Sequence, residues 1–266
     1  MIDEGASPDR VVGSNLASRR VLVVGASSGI GRAIAVRAVR RGGQVVMTAR
    51  RADRLDEVVR EAGGGFIAVG DVRIPDDCQR MVAEAAELLG EIDLLVYCAG
   101  VAPLRPFDQT TAEDWSQVLE THVIGAHQTV LAALPFLGPG AVVAFLSSET
   151  VGRPRSGLGA YGASKAALEE SVRAWQTEHP RTRFTSVAIG ATYPTEFGDQ
   201  FDPDLLRSTL EVWARHGLMT EEMLRTDEVA DCLVGVFAVA LDYPGVGLEH
   251  LVVRPPSPIA ASFAGP

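Results

Sequence analysis

The chain has 266 residues, is 47% hydrophobic and 22% charged, and carries a formal net charge of -10. A chain of this length buries about three quarters of its unfolded surface without a disulfide or metal staple, and α/β folds of this size commonly form one domain. The acidic balance argues against nucleic acid or an anionic membrane as the main partner.

Residues 1 to about 17 are polar and aperiodic and read as a flexible arm, with one domain expected over 18–266. Val21-Leu22-Val23-Val24 is a short apolar run that suggests a strand buried on both faces. Residues 29 to 41 follow with helical spacing, Ile30, Ile34 and Ala38 forming one stripe. The alternation repeats: strands at 45–47, 66–69, 92–97, 142–146, 184–189 and 251–253, and helices at 54–61, 76–89, 115–134 and 161–179. Such alternation predicts a doubly wound α/β fold, a parallel sheet with helices on both faces. Residues 193 to about 225 break the pattern and read as an insertion of one or two short helices over the substrate cleft.

No uninterrupted apolar stretch reaches the ~20 residues that span a bilayer. The N-terminus opens with Asp3 and Glu4 and lacks a basic-then-apolar signal, so the expected location is cytoplasmic, with no membrane partner. Cys78, Cys98 and Cys232 lack metal-ligand spacing and read as buried structural thiols in a reducing compartment; no metal site is expected.

Gly25-Ala26-Ser27-Ser28-Gly29-Ile30-Gly31 joins the first strand to the first helix. A tight turn that lets backbone approach an anion needs glycines, and the helix start then offers unpaired N–H groups to a pyrophosphate. The spacing is G-x-x-x-G-x-G rather than G-x-G-x-x-G. At the end of the second strand, where an acidic residue would read a free ribose 2′-hydroxyl, stand Arg50 and Arg51. Guanidinium groups suit a 2′-phosphate, so NADP(H) is expected over NAD(H); the alternative is a solvated Arg pair opening a helix.

Tyr161 and Lys165 lie four apart on a helical segment and so share a face. A neighbouring ammonium stabilises a phenolate and lowers a phenol's pKa, letting the Tyr exchange a proton with an alcohol or ketone oxygen. Ser148 ends a strand at the carboxyl edge of the sheet, where it can donate a hydrogen bond to that oxygen.

Together with Asp71-Val72 after the third strand, Ala99-Gly100 after the fourth and the thirteen-residue interval from Ser148 to Tyr161, the glycine turn and Tyr161-Gly-Ala-Ser-Lys165 resemble the short-chain dehydrogenase/reductases. The resemblance runs from about Arg19 to Val253. It implies a seven-stranded Rossmann sheet, Tyr161 as acid/base, Ser148 as donor to the substrate oxygen, and Lys165 on the nicotinamide ribose. It also implies Asp71 at the adenine, Gly190 and Thr192 near the nicotinamide, Thr195 reaching the cofactor amide, and a homotetramer or homodimer built partly on the Tyr/Lys helix.

Three positions depart from the family pattern. Its Asn-Asn-Ala-Gly is here Tyr97-Cys98-Ala99-Gly100, so Tyr97 must replace a strand-tying Asn by packing or by another hydrogen bond. The Asn of its catalytic tetrad is matched by His122, which reads as a satisfied core residue, a relay variant with its own titrating group, or a broken relay. Pro194 and Thr195 are offset by one from the usual pattern. The insertion supplies Phe197, Phe201, Leu205, Leu206, Leu210, Trp213 and Met219, compatible with a hydrophobic alcohol or ketone as the small-molecule substrate. The expected activity is NADP(H)-dependent alcohol/ketone interconversion. The alternatives are an epimerase or dehydratase on the same residues, or a nucleotide-binding protein without redox turnover.

Overall fold

A computed structural model describes residues 15–219 and 222–256. In chain order, β1 (Arg20–Val24), α1 (Gly29–Arg40), β2 (Gln44–Ala49), α2 (Ala52–Ala62), β3 (Phe66–Val69), α3 (Pro75–Leu89) and β4 (Ile92–Tyr97) make the first half. The second half begins with α4 (Ala112–Leu119), a π turn (Glu120–Ile124) and α5 (Gly125–Ala133). Then come β5 (Leu137–Ser148), α6 (Gly159–Glu178), β6 (Arg183–Ile189), β7 (Thr192–Tyr193), α7 (Pro203–Arg215), β8 (Leu224–Arg225), α8 (Thr226–Asp242) and β9 (His250–Val253).

Seven parallel strands run in the order β3-β2-β1-β4-β5-β6-β9, the expected Rossmann-type sheet. Successive side chains of a strand point to opposite faces, and β1 shows the consequence. Val21 and Val23 enter the core under α1 and α8, while Leu22 and Val24 enter the one under α3, α5 and α6. Both cores are apolar, so the strand needs no polar alternation. Of the expected arm, residues 1–14 lie outside the described residues, whereas Leu16 is buried in the first core and its N–H bonds Arg41 O.

Three expectations on the elements change. The single helix expected over 115–134 is α4 and α5 joined by the π turn. Its cause is long-range: Tyr97 Oη donates to Thr121 O at 2.6 Å inside that turn. A Cβ on Gly125 would stand 2.7 Å from Val72 O and 2.9 Å from Tyr97 Oη, so glycine is what admits the tyrosine. The 17-residue α8 was not expected at all; it is apolar around most of its circumference and shows little polar face to betray its period. Cys232 is exposed on the outer side of α8, whereas Cys78 is buried and Cys98 partly so.

The 193–225 insertion opens and closes on a two-residue parallel pairing, Thr192 with Leu224 and Tyr193 with Arg225. Between them α7 is capped by the Asp202 carboxylate, which accepts from the N–H groups of Asp204 and Leu205. Among the described residues no helix is long and apolar enough to cross a membrane.

Candidate active site

Strand order reverses between β1 and β4, the point at which open α/β sheets bind ligands beyond the carboxyl ends of their strands. A cleft of about 810 Å³ lies there, and every expected site residue lines it except His122.

At one end is the glycine turn. Gly25 has φ +86°, and a Cβ there would stand 2.5 Å from Ala99 N; a Cβ on Gly31 would stand 2.2 Å from Gly25 O. Backbone therefore packs on backbone, and α1 starts with Gly29, Ile30 and Gly31 facing the cleft. Ser28 caps α1 without a side-chain hydrogen bond, leaving the first-turn N–H groups to whatever anion the cleft takes. Thr195 is brought up beside Gly29 from the insertion.

Arg51 Nη2 donates to Ser27 Oγ (3.1 Å), Ser28 Oγ (3.2 Å) and Glu196 Oε2 (2.9 Å), so it is poised on the turn itself. Arg50 is more exposed and lies 3.7 Å from Asp71 Oδ2. Asp71 is engaged already: Arg73, which the sequence reading passed over, grips it through Nε, Nη2 and the backbone N–H. Burial pushes the Asp71 carboxyl up, but the Arg73 and Arg50 contacts prevail and hold it below the usual range.

At the other end stand the serine, tyrosine and lysine. Ser148 Oγ accepts from Thr150 N–H at 3.2 Å and from Thr150 Oγ1 at 3.0 Å. A hydroxyl has two acceptor sites and one donor, so Thr150 fills the former and leaves the proton to point at Tyr161 or a substrate oxygen. Burial pushes the Tyr161 phenol above its ordinary value, and the Ser148 hydrogen bond and the Arg155 charge pull it back. Before a cofactor binds, the shift thus runs opposite to the lowering expected from Lys165. That ammonium lies over the ring face, 5.9 Å from its centroid, and donates to Leu146 O at 2.8 Å.

His122 is fully buried outside the cleft, and its hydrogen bonds settle its state. Val101 N–H donates to Nε2 at 3.0 Å, so that nitrogen carries no proton. The neutral ring's proton is then on Nδ1, which donates to Ser164 Oγ at 2.8 Å; Ser164 in turn donates to Tyr161 O at 2.7 Å. Burial, reinforced by Lys165, drives the imidazole pKa well below its usual value. Both the hydrogen bonds and the burial speak against the titrating relay variant: His122 ties the post-β4 loop to α6. Tyr97, for its part, donates to Thr121 O in the turn that carries His122 rather than to a neighbouring strand.

The insertion closes over this end. Phe197 meets Tyr161 edge-on at 5.3 Å, Phe201 packs on Phe197, and Trp213 Nε1 donates to Ser156 O. Trp213 also lies under the Arg155 guanidinium, which pairs with Glu149. Neither Arg155 nor Glu149 was singled out from the sequence. The available signal was one acidic and two basic residues, Glu149, Arg153 and Arg155, inside the Ser148–Tyr161 interval, with nothing in the spacing to pair Glu149 with Arg155.

A doubly wound sheet with a glycine turn at its switch point defines the Rossmann class of dinucleotide-dependent proteins. A family model described as short chain dehydrogenase matches residues 19–205. An uncharacterized oxidoreductase of Listeria innocua is 25% identical over 242 residues, covering 88% of this chain and 95% of that one. Among solved structures, a short chain dehydrogenase from Burkholderia cenocepacia in complex with NADP is 28% identical with a TM-score of 0.77, covering 90% of this chain and 97% of that one. An alcohol dehydrogenase from the archaeon Thermococcus sibiricus, complexed with 5-hydroxy-NADP, is 25% identical with a TM-score of 0.75, covering 89% and 96%. The chain belongs to the short-chain dehydrogenase/reductase family and is an NAD(P)-dependent oxidoreductase.

Proposed function

We propose that this enzyme interconverts an alcohol and a ketone or aldehyde with NADP(H), Tyr161 serving as the acid/base. The observation that carries the proposal is the convergence of Ser148, Tyr161 and Lys165 on the cleft that the glycine turn opens. The residues fit a nicotinamide dinucleotide: Gly25 and Gly31 let the turn pack backbone on backbone so that the start of α1 faces the cleft, and Arg50, Arg51 and Arg73 line the adenosine end. Three guanidiniums on one wall of a chain with net charge -10 favour the extra phosphate of NADP(H) over NAD(H). Gly190, Thr192 and Thr195 are assigned to its nicotinamide side, with Thr192 held by donating to Gly190 O.

When bound, the nicotinamide supplies or accepts the hydride. In the reducing direction Tyr161 delivers its phenolic proton to the developing alkoxide, while Ser148 donates a hydrogen bond to the same oxygen. In the oxidising direction Tyr161 takes the hydroxyl proton. Lys165 holds positive charge beside the phenolate that forms, and Thr150 keeps the Ser148 proton aimed. Phe197, Phe201 and Trp213 exclude water and suit an apolar substrate body, with the Glu149–Arg155 pair as the polar contact on the same wall. The homotetramer or dimer belongs to the same proposal, supported by half-exposed Ile124 and Leu131 beside and on α5.

The test is transfer of deuterium from 4-deuterated NADPH. Incubation with a panel of aryl and alkyl ketones is expected to give alcohols labelled at the carbinol carbon. NADPH that binds but delivers no label to any of them would refute the activity.

A further inference from the structure

We propose that Glu169 is a positioning residue of the catalytic centre: its buried carboxylate, tethered by Ser147, is the counter-charge that keeps Lys165 an ammonium beside Tyr161. The proposal rests on the Tyr161/Lys165 reading above and extends it to a residue outside the cleft.

Lys165 and Glu169 are four apart on α6 and so share a face of that helix, and both are buried. Both are fastened to consecutive residues of β5. Lys165 Nζ donates to Leu146 O at 2.8 Å, and Ser147 Oγ donates to Glu169 Oε1 at 2.6 Å. The next residue, Ser148, faces the cleft. A buried carboxylate costs several kcal/mol unless something compensates it, and a single serine hydroxyl is a modest partner. The Lys165 ammonium on the same helix face is the second, acting through space rather than in a direct salt bridge.

The groups facing Lys165 narrow the source of that compensation. From the turn after β4 comes Cys98, whose thiol burial pushes up to about 12, so it is neutral. From the π turn comes His122, held neutral by burial and by Val101. From α6 itself come Tyr161, a neutral phenol at rest, and Glu169. Of these, Glu169 alone brings a carboxylate. Burial lowers the Lys165 pKa to about 8, and the charges of Cys98, when ionised, and Glu169 oppose that fall. Since Cys98 is uncharged in the working range, Glu169 is the opposing charge that operates there.

Lys165 is the only lysine in the sequence, which makes its titration directly observable. Full-length protein carrying 13C-labelled lysine gives one side-chain ε-carbon signal, whose shift follows the ammonium without any turnover. Glu169→Gln keeps the shape and the Ser147 hydrogen bond but removes the charge. Its Lys165 midpoint is expected about one pH unit below wild type, the scale of a nearby buried counter-charge. Glu169→Asp is expected to bring the midpoint back towards wild type. Ser147→Ala, which cuts the tether and keeps the charge, is expected to leave it near the wild-type value. The alkaline limb of the ketone-reduction profile of Glu169→Gln should move to lower pH with the midpoint. A Glu169→Gln midpoint equal to wild type, or a Ser147→Ala midpoint displaced as far as that of Glu169→Gln, overturns the proposal and leaves Glu169 as a strand–helix tie. A displaced midpoint in a protein that reduces no carbonyl supports the counter-charge and refutes the catalytic reading instead.

Discussion

Replacing His122 by Phe keeps a ring in a fully buried site and removes both nitrogens. Ser164 still donates to Tyr161 O, so it loses only an incoming bond. Val101 N–H, partly buried at the cleft wall, is left without its acceptor, and losing such a hydrogen bond costs about 0.5–1.5 kcal/mol. For a chain of this size that is a fall in Tm of about 2–4 °C per kcal/mol. The pH dependence of the loss is the sharper signature. The folded imidazole titrates well below the unfolded one, so its contribution is present above the unfolded pKa of about 6.5 and is lost as pH falls. Below that point wild type sheds about 1.4 kcal/mol per pH unit through His122, and His122→Phe does not. Urea unfolding at a series of pH values is therefore expected to show a gap that is widest at pH 7.5 and narrows towards pH 5. A gap independent of pH would mean that His122 ionises normally in the folded protein, and the neutral imidazole would be refuted.

Tyr97→Phe should cost about 1–3 kcal/mol in the same unfolding assay, because buried Thr121 O loses the donor that reaches it from β4. Arg51→Ala is expected to raise the NADPH dissociation constant about tenfold or more and that of NADH far less, read by fluorescence titration; equal losses would leave Arg51 as a lid contact to Glu196. Arg50→Ala should discriminate in the same direction. Gly31→Ala places a methyl 2.2 Å from Gly25 O and should abolish binding of both cofactors, which equilibrium dialysis would show.

The sheet was legible because its strands are short, mostly apolar runs buried on both faces, as Val21–Val24 and Leu94–Tyr97 illustrate. The cleft residues were legible because turn chemistry and helix spacing are local: Gly25–Gly31 is one turn, and Tyr161 and Lys165 are one helical step apart. What escaped depends either on a distant partner or on how a loop bends back on itself. The π turn needs Tyr97 from β4, Ser148 is aimed by Thr150 only once the loop after β5 folds back, and the Asp71 carboxylate is taken by Arg73 across a bend. His122 could be flagged from its position but not assigned, because its protonation is decided by Val101 N–H, twenty-one residues away. α8 was hidden because its outward face carries apolar and small residues such as Cys232, Gly235, Val236 and Val239, which blunt the helical period.

The central claim is that Tyr161 carries the proton in a hydride-transfer reaction. Removing only the phenolic oxygen, as Tyr161→Phe, tests it in a paired measurement of NADPH binding and of NADPH consumption with a ketone that wild type reduces. The account predicts an NADPH dissociation constant close to wild type and a rate lowered about 10²–10⁴-fold. Turnover by Tyr161→Phe at the wild-type rate would contradict it.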